Sequence, residues 1–146
     1  MTFDFTTYLQ SQAIGFSGPT TFEVKLLTGG FTNVTARVTF PSPIHLFSSP
    51  KEHAGAILKY APPHLASDAS HAVSITRQVI EARALDLITG QDILFDTQDP
   101  ASPDAVFRTT VLRDALDNYP LIQVPSIIHH DTQNNVLWIE DLGELG

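Results

Sequence analysis

Two charged side chains lie in stretches of the sequence that are otherwise largely apolar. Lys59 ends the run "AGAILK", and Glu81 lies within "RQVIEARALDLI". Glu81 shares a helical stripe with its neighbours at i+3, i+4 and i+7, which are Ala84, Leu85 and Ile88. A desolvated ammonium is strongly unfavourable unless an opposite charge pairs with it. If the strand that carries Lys59 packs against this helix, the two side chains can form an ion pair across the interface.

Each charge also has a simpler interpretation. Lys59 can extend to solvent from the end of an edge strand while its stem covers apolar surface. Glu81 can form an exposed pair with Arg77, four residues earlier on the helix, which contributes only ~0.3–0.5 kcal/mol. The position of Lys59 relative to the helix therefore decides between these alternatives.

A pair of glycines, Gly29 and Gly30, interrupts the β-rich segment "TFEVKLLTGGFTNVTARVTF". Glycine costs backbone entropy and contributes no side chain to pack, so a glycine pair between two strands indicates a tight turn. The segment predicts a β-hairpin whose turn carries no bulky side chain. An ordinary hairpin turn without a further role is the alternative.

The elements that would position these residues follow from periodicity and turn residues. "FDFTTYLQ" predicts a short helix capped by Asp4 or Thr6. The three prolines of residues 41–53 predict a loop, and "AGAILKYAPP" predicts a strand that its two prolines end. A helical period predicts a helix from residue 68 to about residue 89, with Gly90 as its C-cap. The period rests on Val73, Ile80, Ala84, Leu87 and Ile88.

A second hairpin closes the chain. "SIIHHD" and "VLWIED" are two β-runs joined by "TQNN", whereas residues 91–107 indicate a loop or an insertion. The resulting order predicts an α+β fold with a five-stranded antiparallel sheet and one main helix. Such a sheet buries one face under the helix and leaves the other for a partner or ligand.

Composition restricts the classes of function. The 146 residues carry a net charge of −8, which argues against a nucleic-acid partner or an anionic membrane surface. The sequence has no cysteine, which excludes disulfides and thiolate metal sites and is typical of a reducing cytosol. The N-terminus has an early acidic residue and no basic region before an apolar run, unlike a signal peptide. We therefore expect a cytoplasmic protein without a membrane partner.

The glycine turn, the strand lysine, the helix glutamate and an apolar strand ending in "ED" together resemble a known lobe. It is the N-terminal lobe of the protein-kinase-like phosphotransferases, in the branch of aminoglycoside phosphotransferases, choline kinases and methylthioribose kinases. The resemblance is carried by "TGGFTN", "AILKYAPP", "RQVIEARALDLI" and "VPSIIHHDTQNNVLWIEDLG". It extends from about residue 20 to residue 143. It implies that residues 1–146 form a nucleotide-binding lobe that ends just after the hinge, with the C-terminal lobe absent.

The resemblance further implies a site for ATP with Mg²⁺. Gly29 and Gly30 would bend the turn over the phosphates and leave backbone N–H groups for phosphate oxygens. Lys59 would hold the α- and β-phosphates, and Glu81 would orient Lys59. Thr32 and Asn33 would steady the turn through side-chain-to-backbone bonds.

The hinge would supply the adenine subsite. Trp138 falls near the gatekeeper position at the back of the adenine pocket, although an aromatic residue there is equally well a core residue. The backbone groups that would bind the adenine edge belong to Ile139, Glu140, Asp141 and Leu142. The candidate apolar walls are Leu27, Val34 and Ile57.

Catalytic residues of the family are not found in this sequence. Family members carry an H-G-D-x-x-x-x-N loop and a further metal-binding Asp in the second lobe. "HHDTQNN" begins with a suitable His129-x-Asp131 spacing, but the position that requires Asn is Val136. The stretch also precedes the hinge, where a turn is expected. We therefore expect no catalytic residue and no metal ligand in this chain, and an acceptor bound by the C-terminal lobe.

Two classes of function follow. The first is the ATP-binding lobe of a small-molecule kinase, present as a fragment that is not active alone. The second is a non-catalytic kinase-like module that binds nucleotide weakly or binds a protein through its open face. An unrelated α+β interaction domain remains only if Lys59 and Glu81 do not meet.

Overall fold

The computed structural model describes residues 2–17, 21–30, 32–65, 68–89 and 116–143. The elements, in chain order, are α1 (Phe5–Gln12), β1 (Phe16–Ser17), β2 (Glu23–Leu27), β3 (Val34–Leu46), β4 (Glu52–Tyr60), β5 (His64–Leu65), β6 (Asp68–Ala72), α2 (Thr76–Thr89), β7 (Ile127–Asp131) and β8 (Val136–Glu140). Across these ranges no helix has both the length and the apolar character needed to cross a bilayer. The predicted cap at Gly90 and the predicted loop over 91–107 lie outside the described residues.

The main sheet is antiparallel and is built around the long strand β3. Its order is β1-β3-β4-β8-β7, and β2 pairs with β3 alongside β1. The strands β1 and β2 share one side of β3 because they pair with different parts of it. Five of the six strands have five or more residues, so the predicted α+β class with a five-stranded antiparallel sheet is confirmed. The strands β5 and β6 form a separate two-stranded sheet.

The first helix and both hairpins are confirmed. Oδ1 of Asp4 accepts hydrogen bonds from the backbone N–H groups of Thr6 (3.0 Å) and Thr7 (3.1 Å), so Asp4 is the N-cap of α1. The strands β2 and β3 pair on either side of the glycine turn, and residues 132–135 form the turn between β7 and β8. Local capping and turn signals were sufficient to locate these three elements.

The loop prediction for residues 41–53 was wrong at both ends, because β3 continues to Leu46 and β4 begins at Glu52. The pairing of β3 with β4 shifts register between Thr39 and Ile44, and Pro41 and Pro43 lie in that irregular stretch. A proline has no N–H to donate, so it fits where a strand bulges away from its ladder. The prolines therefore mark a bulge within a strand.

The main helix begins later than predicted. Residues 68–72 form β6, and α2 begins at Thr76. Oγ of Ser74 accepts a hydrogen bond from the backbone N–H of Thr76 at 3.2 Å, which satisfies a donor at the start of the helix. The apolar period also misplaced the buried face, because Ile80 is 62% exposed and Ala84 is exposed as well. The residues of α2 that are buried are Gln78, Ala82 and Asp86.

The two faces of the main sheet are packed differently. The face towards α1 carries the larger core, which includes Trp138, Leu58 and Val38. The face towards α2 has a smaller apolar cluster, formed by Ala82, Ile127 and Leu137 with Leu85 and Ile139 packed against it. The α2 face is therefore the less apolar one, with room for polar and charged side chains.

Candidate functional site

Lys59 lies on the α2 face, near the middle of the strand order. Its registered neighbours are Thr35 on β3 and Leu137 on β8. The residues on either side of it in the chain, Leu58 and Tyr60, pack with the α1-side core. Because successive strand residues alternate between faces, Lys59 points to the α2 side. With a strand on each side, β4 is not an edge strand, so the edge-strand interpretation of Lys59 was wrong.

The ammonium of Lys59 donates a hydrogen bond to Oε1 of Glu81 and forms a salt bridge with it. The two side chains are only 24% and 32% exposed, respectively. The predicted approach of these residues across the strand–helix interface is confirmed. A partly buried pair of this kind offsets the desolvation of both charges and fixes the ammonium on the sheet face.

Gln78 attaches the first turns of α2 to the sheet. Its side chain is 4% exposed, and Nε2 donates to the carbonyl oxygens of Lys59 (2.7 Å) and Asn135 (3.0 Å). The helix is therefore bonded to the backbone of the residue whose ammonium Glu81 holds. Sequence reasoning missed Gln78, although its i, i+3 spacing to Glu81 was the available signal.

The described residues of the glycine turn, between β2 and β3, are 28–30, 32 and 33. Gly29 has a φ of +116°, a backbone conformation that favours glycine, and the space around it is open. A Cβ at Gly30 would lie only 2.6 Å from the carbonyl oxygen of Asn33. One glycine is thus required by conformation and the other by a close backbone approach.

Arg77, in the first turn of α2, bonds to the end of the glycine turn that leads into β3. Its Nη2 donates to the carbonyl oxygen of Thr32 at 3.1 Å and to Oδ1 of Asn33 at 3.2 Å. The alternative interpretation, an exposed pair of Arg77 with Glu81, was wrong, because Arg77 bonds to the turn and Glu81 to Lys59. Asn33 therefore contacts α2 through its side chain, and Thr32 contacts it through its backbone carbonyl.

The Trp138 side chain lies in the core next to α1, on the face opposite Lys59. It is fully buried, and its Nε1 donates to the hydroxyl of Tyr8 at 3.0 Å. Of the two interpretations of this residue, the core position is the one that the structure shows. The next strand residue, Ile139, packs with the apolar cluster of the α2 face instead.

A salt bridge ties the segment after β8 back to the sheet. Nε of Arg37 lies 2.8 Å from Oδ2 of Asp141, and Nη2 donates to Oδ1 at 3.2 Å. The same Oδ1 accepts from the backbone N–H of Gly143 at 2.9 Å. Arg37 is in register with Ile57 on β4, so this bridge lies on the face that carries Lys59.

The remaining hinge residues differ in how far their backbone is already engaged. Ile139 and Glu140 belong to β8, and the N–H of Glu140 donates to the carbonyl of Ser126 at 2.8 Å. Asp141 and Leu142 follow the end of the strand. Backbone recognition of a ligand by this segment would therefore fall mainly on the two residues beyond β8.

The residues predicted as apolar walls of the adenine subsite lie on different faces of the main sheet. Leu27 is in register with Thr35, which is itself in register with Lys59, and Ile57 lies two residues before Lys59 on β4. These two side chains therefore share the α2 face with Lys59. Val34 packs against the α1-side core instead.

The "HHD" stretch has a structural place in the β7–β8 hairpin. Oδ1 of Asp131 accepts from the backbone N–H groups of Gln133 (3.1 Å) and Asn134 (3.0 Å), an arrangement typical of a side chain that fixes a turn. Burial lowers the pKa of both His129 and His130. The expected turn at this position is confirmed.

The chain is similar to two named kinases. It is 32% identical over 122 residues to 4-hydroxytryptamine kinase of Psilocybe cyanescens, which covers 84% of this chain and 27% of that protein. It is 27% identical over 122 residues to 4-hydroxytryptamine kinase of Psilocybe cubensis, which covers 84% of this chain and 26% of that protein. No family model matches the sequence. The chain thus spans about a quarter of the length of these relatives and is homologous to small-molecule kinases over that part.

Proposed function

We propose that this chain is the ATP-binding lobe of a small-molecule kinase of the aminoglycoside phosphotransferase type. The observation that carries the proposal is that α2 holds both the Lys59 ammonium, through Glu81, and the end of the glycine turn, through Arg77. Kinases require a lysine that is held by a helix glutamate and a glycine-rich turn above the phosphates. The similarity to two small-molecule kinases supports the same class of reaction.

The residues present fit the phosphate part of ATP. The Lys59 ammonium supplies a fixed positive charge, and the turn at Gly29 and Gly30 exposes backbone without side chains. Leu27 and Ile57 would contact the base, and backbone groups of Asp141 and Leu142 would bind its edge. Among the described residues no group of three or more His, Cys, Asp or Glu side chains is placed to hold a metal ion. Mg²⁺ would therefore need ligands other than these.

The acceptor in this proposal is a hydroxyl group of a small organic molecule. The two relatives are named for a hydroxylated tryptamine, so 4-hydroxytryptamine belongs in any panel of candidate acceptors. Its recognition would be the task of a second lobe, because this chain resembles only the nucleotide lobe.

A nucleotide titration followed by NMR tests the proposal. Because the proposed site has only the contacts of a nucleotide lobe, we expect ATP to bind ¹⁵N-labelled protein in the millimolar range. Shifts should be concentrated at Gly29, Gly30, Lys59 and the segment 139–142. Lys59→Ala should weaken binding about tenfold, because a charge-assisted contact contributes roughly 1.5–3 kcal/mol and each 1.4 kcal/mol is about tenfold.

Arg83→Ala is the control, because Arg83 is an exposed cation of α2 that has no part in the proposed site. It should leave the titration unchanged. Shifts confined to other surfaces, or equal weakening by both variants, would contradict the proposed site. A low-micromolar constant that Lys59→Ala abolishes would instead show a complete nucleotide-binding module.

A further inference from the structure

The first two turns of α2 contact both parts of the proposed phosphate site. Glu81 pairs with Lys59, and Arg77, one helical turn earlier, donates to the glycine turn. We propose that Arg77 is a positioning residue that fixes the glycine turn to α2. The turn and Lys59 then keep one relative position because the same helix holds both. That the turn contacts phosphate rests on the proposed function.

The contact with Arg77 is suited to position the turn because the two glycines contribute no side-chain packing. Gly29 and Gly30 have no side chains with which to pack, so the turn depends on backbone and neighbouring contacts for its position. One nitrogen of Arg77 bonds to two successive residues, Thr32 and Asn33, just before β3 begins. Both bonds have a charged donor and are partly buried, which makes them stronger than bonds between neutral groups.

Gln78 restricts the movement of the part of α2 that carries Arg77. Its two bonds, to the carbonyls of Lys59 and Asn135, hold the residue next to Arg77 against the sheet. Arg77 therefore projects from a part of α2 that cannot move without breaking buried bonds. A displacement of α2 would release the glycine turn and the lysine together, so both parts of the site respond to the position of one helix.

The first experiment needs no nucleotide. Backbone ¹⁵N order parameters of residues 28–30, 32 and 33 should fall from about 0.85 towards 0.6 or below in Arg77→Ala, the change from a rigid to a flexible backbone. Arg77→Lys, which keeps a charged donor, should restore part of the order. Arg83→Ala, at an exposed arginine of the same helix, is the control and should leave the turn unchanged. Unchanged order in Arg77→Ala would overturn the proposal, as would an equal loss of order throughout the chain.

Asn33→Ala provides a second variant in case Arg77→Ala does not fold. It removes one acceptor of Arg77 and leaves the helix intact, so order should fall in the glycine turn (residues 28–30, 32 and 33) and not elsewhere. If order there stays at the wild-type value, the proposal is wrong.

The second experiment separates positioning of the turn from general stability. Arg77→Ala should weaken ATP about threefold or more and leave AMP unchanged, because AMP lacks the β- and γ-phosphates that the turn would contact. Equal weakening of ATP and AMP would contradict a role at the phosphates. If wild-type protein bound neither nucleotide, the proposed function would fail, and the order parameters would still decide whether Arg77 fixes the turn.

Discussion

At the scale of single residues, a buried polar chain joins α1 to the β7–β8 hairpin. Nε1 of Trp138 donates to the hydroxyl of Tyr8, and that hydroxyl donates to Oδ2 of Asp131 at 3.0 Å. Burial raises the pKa of Tyr8, so its hydroxyl remains a donor at any ordinary pH. The Tyr8 hydroxyl therefore supplies the acceptor for the indole N–H of Trp138 and one of the donors to the carboxylate of Asp131.

Tyr8→Phe should lower the free energy of unfolding by about 1–3 kcal/mol, because it leaves a buried donor and a buried acceptor without their partner. Urea denaturation measures the change. Tyr119→Phe removes the same hydroxyl from a side chain that is 63% exposed, and its effect should stay within about 0.5 kcal/mol. Equal effects of the two variants would show that the buried chain does not stabilise the fold.

Asp131 gives stability a defined dependence on pH. Burial opposes its ionisation, but hydrogen bonds from Asn134, Tyr8 and Gln133 outweigh burial and hold the pKa of Asp131 below its usual value. A lowered pKa in the folded state means that the ionised form stabilises the protein above the unfolded pKa of about 3.9. That contribution is lost as the pH falls through the folded pKa.

Asp131→Asn tests this linkage. The stability difference between wild type and variant should be constant near neutral pH and should shrink between about pH 4 and about pH 2. Denaturation curves across this range measure it, with the exposed Asp117→Asn as the matched control. A difference that stays constant down to pH 2 would contradict the lowered pKa.

At the scale of elements, α2 is attached by polar groups more than by an apolar stripe. Gln78 is buried at 4% exposure, whereas its neighbours Val79 and Ile80 are 47% and 62% exposed. Hydrophobicity alone would therefore predict that Val79 and Ile80 are buried against the sheet and that Gln78 is exposed, which is the reverse of what the structure shows.

Gln78→Leu should destabilise the protein by about 1–3 kcal/mol, because two carbonyl oxygens lose their buried donor. Ile80→Ala, two residues later on the exposed side, should change stability by no more than about 0.5 kcal/mol. Thermal or urea unfolding compares the two variants. A larger loss from Ile80→Ala would show that apolar contact, rather than Gln78, holds the helix.

The parts of the fold that could be predicted from the sequence are those that depend on local signals. The cap at Asp4, the glycine turn and the "TQNN" turn are local signals, and each located its element correctly. The start of α2 and the length of β3 were misjudged because both depend on strand pairing: residues 68–72 pair with β5, and β3 continues past a bulge near Pro41 to pair again with β4.

The same distinction applies to the site. Lys59 and Glu81 were predictable because a charge in an apolar stretch requires a partner. Arg77 had two possible partners, and Trp138 had two possible environments. Only the packing of α2 on the sheet and the register of β8 decide between those alternatives.

At the scale of the whole molecule, several of the cationic side chains of an acidic protein lie at one face. The net charge is −8, yet at least three of its eight lysine and arginine residues, Arg37, Lys59 and Arg77, lie at the α2 face. Each contacts a carboxylate, carbonyl or amide oxygen that fixes its position. Because Glu81 and Asp141 offset two of these charges, the face offers a few fixed cationic donors and no extended basic surface, which suits a small polyanion such as a nucleotide better than nucleic acid.

We predict that the 146 residues alone do not transfer phosphate. Phosphoryl transfer needs positioned metal ions and a residue that orients the attacking hydroxyl, and the sequence contains no H-G-D-x-x-x-x-N motif to supply them. Purified protein, incubated with Mg²⁺ and radiolabelled ATP, should therefore transfer no phosphate above background to aminoglycosides, choline, methylthioribose or 4-hydroxytryptamine. Lys59→Ala sets that background, because it removes the phosphate-binding charge of the proposed site. Product formation that Lys59→Ala abolishes would show that residues of this chain complete the reaction, and that its proposed role as a nucleotide lobe is too narrow.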